Sequence, residues 1–271
     1  YIMSNSSLLT ITHDCGFFSC SSVRLDIISK YIVDNKKLPD IIDCSKQFSW
    51  YKPEDKINED ITNDYFERFE NVEIDIDISN IEHYDNEFQY INYADVNYSK
   101  IYPLMKKYFS PSVNILNKIQ YINNKYNLDY DNICVLFYRG NDKITETQLS
   151  SYEDYLIYSN EIFEKNPNII FLLQSDETEF IEYMTNIYPN NSIYFKDEIR
   201  HMNKTCNTVD KVMKSNIHEY SMYYLAITII MSKCKYIICG TGNCSIWIML
   251  YRNNNKNTIQ FIRGKWIKAL E

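Results

Sequence analysis

Apolar and polar positions in this chain are grouped in blocks, and the blocks alternate. The clearest apolar block is Ile133-Cys134-Val135-Leu136-Phe137-Tyr138, which stops abruptly at Arg139-Gly140-Asn141-Asp142-Lys143. An unbroken apolar run of strand length predicts a parallel strand buried on both faces, here entering a polar loop at its carboxyl end. The same pattern returns at Ile169–Leu173 before Gln174-Ser175-Asp176-Glu177, and at Tyr236–Cys239 before Gly240-Thr241-Gly242-Asn243. Ser192–Phe195 and Thr258–Ile262 read as further strands, the latter as the last one. Between them, helical spacing predicts helices over Ser112–Asn127, Ser151–Asn166, Glu179–Tyr188, His218–Ser232 and Ser245–Arg252. Strands alternating with helices in this way form a doubly wound parallel sheet.

The first half repeats the theme less regularly. Leu8–Thr12 predicts a strand, His13-Asp14-Cys15-Gly16 a turn, and Ser21 the cap of a helix carrying Val23, Leu25, Ile28 and Ile32. Pro39–Asp43 predicts a second strand, and Ile101–Phe109 a helix stopped by Ser110-Pro111. Residues 55–92 are acidic, with Val72, Ile74, Ile76 and Ile78 alternating, which predicts irregular structure and edge strands. The expected fold class is therefore α/β, with two facing Rossmann-like domains and a cleft between them. Residues 1–110 form one and residues 111–271 the other.

Composition narrows the function. At 271 residues, 45% hydrophobic and 15% aromatic, the chain can bury one large core or two ordinary ones. It holds 25 Tyr against 5 Gly and is rich in Asn, Ile and Lys, the residues of AT-rich codons, so no single Tyr or Asn is read as functional. A net charge of -8 without a basic block excludes binding to bulk nucleic acid. Leu225–Ile230 is apolar but far short of the roughly 18 residues of a membrane span. Cys234, Cys239 and Cys244 recur every five residues, which is not zinc-site spacing, so no metal is expected there. The eight cysteines read as reduced thiols in a soluble protein of the cytoplasm or another reducing compartment.

Candidate chemistry gathers at the strand ends, which share one edge of a parallel sheet. Arg139 and Lys143 are cations for a phosphate, and Glu146 is a carboxylate able to take a proton. Gly240, Thr241, Gly242, Asn243 and Ser245 form a strand-to-helix turn whose backbone N–H groups suit a phosphate. Asp142 is the rival base on the same loop, and Asp176 is expected to hold a ribose hydroxyl or cap a helix. Should Glu146 not act as base, His13 is the next candidate. The nearest Asp-x-Asp pair, Asp75-Ile76-Asp77, sits in an acidic stretch without a phosphate loop and reads as solvated.

These residues carry a resemblance. Phe137-Tyr138-Arg139-Gly140-Asn141-Asp142-Lys143 resembles the His-x-Arg-Arg-x-Asp-Lys strand-end motif of the α1,6-, α1,2- and protein-O-fucosyltransferase superfamily. Ile144-Thr145-Glu146 resembles the run to a Glu that follows in the α1,6 branch, one residue shorter. Phe171–Glu177 and Ser232–Asn243 are similar to its next strand with an acidic pair, and to its helix, strand and Ser-rich turn. Gly16 resembles the family's N-terminal Gly turn. The likeness covers roughly residues 130–265.

The resemblance implies a GT-B fold and a metal-independent, inverting transfer of fucose from GDP-fucose to a glycan hydroxyl, with no cofactor beyond the donor. By position, Arg139 would hold the donor β-phosphate, Glu146 or Lys143 would sit near the attacking hydroxyl, and Asn243 would stand where the family has a Ser at the pyrophosphate. Three positions depart from the pattern: Phe137 replaces the His, Gly140 the second Arg, and Ile227 an Asp that reads guanine in many members. His218, Glu219 or Tyr223 is the expected substitute for that last contact. The departures leave open another nucleotide sugar, or an inactive nucleotide- or glycan-binding module.

Overall fold

The computed structural model describes residues 8–270. The first half runs through strand β1 (Leu8–His13), helix α1 (Phe17–Asn35) and strand β2 (Ile41–Gln47), then short helix α2 (Thr62–Tyr65) and helix α3 (Tyr98–Phe109). β1 and β2 pair in parallel as a two-stranded sheet. The second half follows as α4 (Val113–Tyr126), β3 (Ile133–Tyr138), α5 (Tyr152–Lys165), β4 (Ile170–Ser175), α6 (Thr178–Ile187) and β5 (Ser192–Ile193). It ends with α7 (Val209–Val212), α8 (Ile217–Lys233), β6 (Tyr236–Gly240), α9 (Asn243–Arg252), β7 (Thr258–Ile262) and β8 (Lys265–Ala269).

The larger sheet has the order β5-β4-β3-β6-β7-β8, parallel except for β8. All six residues of β3 are buried, as its continuous apolar run requires. From β3 the chain winds outward to β4 and β5, then crosses back to β6 and winds the other way. The order therefore reverses between β3 and β6. A crevice opens outside the carboxyl ends of two strands at such a switch point. Those ends are Arg139 and Gly240.

Four differences from the sequence reading have local causes. Helix α1 begins at Phe17, not Ser21, because the Phe17 N–H donates to the Tyr51 hydroxyl at 2.8 Å; Ser21 instead bonds back to the Phe17 carbonyl. Residues 72–78 form no strand; Ile76 alone of them is buried and the acidic side chains beside it face water. The strand at Ser192 lasts only to Ile193. Thr258–Ile262 is not the last strand, since a turn at Arg263 and Gly264, both at positive φ, returns β8 antiparallel to it.

One apolar core runs through both halves. Trp247 of α9 lies against Phe109 of α3, with ring centroids 4.9 Å apart, and against Phe18 of α1 at 6.0 Å. Its indole N–H donates to Ser22 Oγ, whose hydroxyl donates to Asn243 Oδ1. These contacts fix the start of α1 against the start of α9, and both helix starts open onto the crevice.

Candidate active site

The crevice is a cleft of about 600 Å³. Its second-half wall carries Arg139, Asp142, Lys143, Glu146, Asp176, Tyr224, Asn243 and Cys244; its first-half wall carries Cys15, Gly16, Ser19, Trp50 and Tyr51. Tyr51 ties the walls together. Its hydroxyl accepts from Phe17 N and donates to Asp210 Oδ2 at 2.6 Å.

Arg139 projects from the end of β3 into a dense set of partners. Nε donates to Asp176 Oδ2 at 2.9 Å and Nη2 to Asp142 Oδ1 at 3.0 Å; Nη1 donates to the Tyr224 hydroxyl and to Cys244 Sγ. Burial opposes its charge, but Asp176, Tyr224, Cys244 and Asp142 more than restore it, so the guanidinium stays protonated. Two carboxylates face one cation, and four of the five N–H groups of the fork are committed. Asp176 is engaged on both oxygens, by Arg139 Nε and by Gly140 N. Arg139 is thus a clamp as well as a cation.

Lys143 is the more available charge. Its side chain is about one-eighth exposed, pairs with Glu146, and passes 4.0 Å from where a Cβ on Gly242 would stand. It therefore lies across the Gly240–Gly242 turn. Lys143, Arg139, Gly240, Thr241, Gly242 and Ser245 line a small cavity under that turn. Helix α9 starts there with Gly242 as N-cap and no side-chain cap, so its first N–H groups have no local side-chain acceptor. A positive helix end with a lysine above it favours an anion.

Beneath the loop lies a carboxylate that the sequence did not single out. Glu177 is fully buried, accepts from Asn141 N at 2.9 Å and bonds the Tyr152 hydroxyl. Burial raises its pKa above the ordinary carboxylate value. A Cβ on Gly140 would stand 1.9 Å from Glu177 Oε1, so position 140 has no room for the family's second Arg. Asn141, 1% exposed, joins three segments: Nδ2 donates to the Asp176 carbonyl, and Oδ1 accepts from Thr205 N.

The expected residues therefore meet at one place, but Thr241, Asn243 and Ser245 contribute less directly. Thr241 N bonds the Phe261 carbonyl, Asn243 Oδ1 is taken by Ser22, and Ser245 is 3% exposed. Ile227, 1% exposed, does line the cleft. The side chains expected to replace its family contact point elsewhere. His218 bonds the Tyr51 carbonyl and pairs with Asp64, Glu219 pairs with Lys118, and Tyr223 lies under Lys118. Sequence also gave no sign of Tyr51, Tyr224 or Cys244. Asp75 and Asp77 are exposed, and among the described residues no three His, Cys, Asp or Glu side chains are grouped to hold a metal. All eight cysteines are free.

Solved structures share the fold. The chain superposes on a crystal structure of the α-1,6-fucosyltransferase NodZ soaked with GDP-fucose, with TM-score 0.54 at 11% identity, covering 98% of this chain and 100% of that one. A NodZ structure from Bradyrhizobium gives TM-score 0.51 at 12% identity with the same coverage. The fold is GT-B. In GT-B terms, the six-stranded half with the α9 turn and the half with the α1 turn face each other across the cleft. No protein-family profile matches the chain, and no curated protein matches it by sequence. No helix among the described residues is long and apolar enough to cross a membrane.

Proposed function

We propose that the protein is a glycosyltransferase that moves fucose from GDP-fucose to a glycan hydroxyl, with inversion at the sugar and without a metal ion. One observation carries the reading. At the switch point of a fucosyltransferase-like GT-B fold, Lys143 and the uncapped start of α9 converge on the same cavity, with Arg139 beside them. Departure of a nucleoside diphosphate requires its growing charge to be stabilised, and preorganised cations and backbone N–H groups do this without a metal. Lys143 and α9 take the β-phosphate in this reading. Arg139 holds Asp142 and Asp176 and offers its remaining Nη2 proton, and Glu146 positions Lys143. In the transfer, the acceptor oxygen bonds to the sugar carbon, the bond to the β-phosphate oxygen breaks, and GDP leaves with the electron pair. Residues 1–110 form the acceptor-side unit and residues 111–271 the donor unit.

Ile227 on the cleft wall supports a second reading in which the donor carries another base, because no carboxylate stands there. Titration with GDP, UDP, ADP and CDP separates the two. GDP is expected to bind most tightly, and GDP-fucose to be cleaved to GDP at an unchanged rate in excess EDTA. Preference for UDP moves the donor assignment. Activity that EDTA removes and Mn²⁺ restores overturns the metal-free mechanism. Binding of all these diphosphates without cleavage of any corresponding sugar nucleotide leaves a binding module.

A further inference from the structure

We propose that Ser19 and His13 form a proton relay that takes the acceptor's proton during transfer. The inference rests on the transferase reading and adds the acceptor-side chemistry that the phosphate-side residues do not provide.

The two residues stand on either side of the turn between β1 and α1. His13 ends β1, and Ser19 is in the first turn of α1. His13 Nε2 and Ser19 Oγ are 2.9 Å apart. Ser19 lines the cleft, and His13 stands behind it. Ser22, about one helical turn further along α1, bonds Asn243 at the start of α9. The relay therefore reaches the cleft from the first-half wall, whereas Arg139, Lys143 and Asn243 line it from the second half. A group that deprotonates an acceptor belongs across the sugar from the departing phosphate.

The protonation state suits the role. Burial lowers the His13 pKa, with Asp14 opposing in part, so the imidazole is neutral at pH 7. With the proton on Nδ1, Nε2 accepts from the Ser19 hydroxyl. The other groups around His13 are Cys20, whose thiol donates to the His13 carbonyl, Cys15 in the same turn, and Gln47 and Lys46 on β2, of which Gln47 is its ladder partner. Glu146, the other candidate base, is engaged by Lys143. The step balances: the acceptor O–H proton passes to Ser19 Oγ as the Ser19 proton passes to His13 Nε2. The acceptor oxygen bonds to the sugar carbon, and the diphosphate leaves with the electrons of the broken bond.

GDP release from GDP-fucose, with water as acceptor, tests the relay across pH. For the wild type, kcat is expected to fall as pH drops through one ionisation below the ordinary imidazole value. His13→Gln and Ser19→Ala should each lower kcat at pH 7.5 by about 10²-fold, with KM for GDP-fucose within about twofold. The acid limb should vanish in His13→Gln, the double variant should be no slower than either single one, and Ser19→Thr should keep most of the rate. Glu146→Gln should slow turnover while retaining the acid limb. Ser19→Ala removes one oxygen from a cleft wall, so it decides the matter even if His13→Gln folds poorly. Wild-type kcat in Ser19→Ala, or an acid limb that survives His13→Gln and disappears in Glu146→Gln, overturns the relay alone. A wild-type protein that releases no diphosphate from GDP-fucose or from any of the UDP-, ADP- and CDP-sugars overturns the transferase reading and the relay with it.

Discussion

Arg139→Ala is expected to abolish turnover and to lower stability together. The guanidinium is the only charge between Asp142 and Asp176 in the described contacts of either carboxylate with a cation. Removing it leaves two carboxylates facing each other at the end of β3, the more buried of them 8% exposed. Breaking one partner out of a buried ionic set costs about 3–5 kcal/mol. At roughly 2–4 °C per kcal/mol for a chain of this size, the thermal midpoint should drop by about 10 °C. The phosphate side suffers as well, since Asp142 leads directly into Lys143 and a displaced loop moves that ammonium off the α9 turn. Arg139→Lys should restore little, because an ammonium cannot reproduce the fork that reaches Asp176, Tyr224, Cys244 and Asp142 at once. Differential scanning fluorimetry with GDP titration measures both effects. Normal turnover in Arg139→Ala would remove it from the site.

Gly140→Ala should be nearly as damaging, although it adds a single methyl group. The new Cβ falls 1.9 Å from Glu177 Oε1 and 2.2 Å from its Cδ. A flexible surface carboxylate would swing aside, but Glu177 is fully buried and held by Asn141 N and the Tyr152 hydroxyl. Overpacking of this kind costs about 1–3 kcal/mol, and a lost hydrogen bond to a charged group about 1.5–3 more. The expected loss is about 3 kcal/mol, with turnover reduced because Asn141 no longer holds its loop against Thr205. The cause is isolated by a double-mutant cycle. Glu177→Ala makes room at position 140, so Gly140→Ala should cost much less in that background. Equal costs in both backgrounds would show that the methyl group does its damage elsewhere.

How far the sequence could be read depended on the range of the forces involved. β3, β4 and β6 were legible because a strand buried on both faces must be apolar throughout, and the polar residues after each mark its carboxyl end. Arg139, Asp142, Lys143 and Asp176 were legible for the same reason. Helix α1 was misplaced at its start because its cap is the Tyr51 hydroxyl, 34 residues away, which no local pattern records. Residues 72–78 have the alternation of a strand, yet their one buried side chain is Ile76 and no described strand pairs with them. Glu177 looked like half of an acidic pair. Its role follows from the missing side chain at Gly140, 37 residues earlier in the chain. The Ser22–Asn243 contact joins residues 221 apart and was likewise invisible.

The indole of Trp247, wedged between α1 and α3 and bonded to Ser22, has a consequence for how the molecule comes apart. The proposed boundary at residues 110/111 would divide the chain by role, but the same apolar contacts serve both sides of it. Cutting there would expose Trp247, Phe109 and Phe18 at once. Heat or urea should accordingly melt the whole chain in one cooperative step, with tryptophan fluorescence and far-ultraviolet circular dichroism giving coincident curves. Residues 111–271 expressed alone should aggregate instead of yielding a soluble nucleotide-binding fragment. Two separated transitions would mean that the interface around Trp247 contributes little. A single one makes the acceptor-side wall part of what keeps the donor side folded.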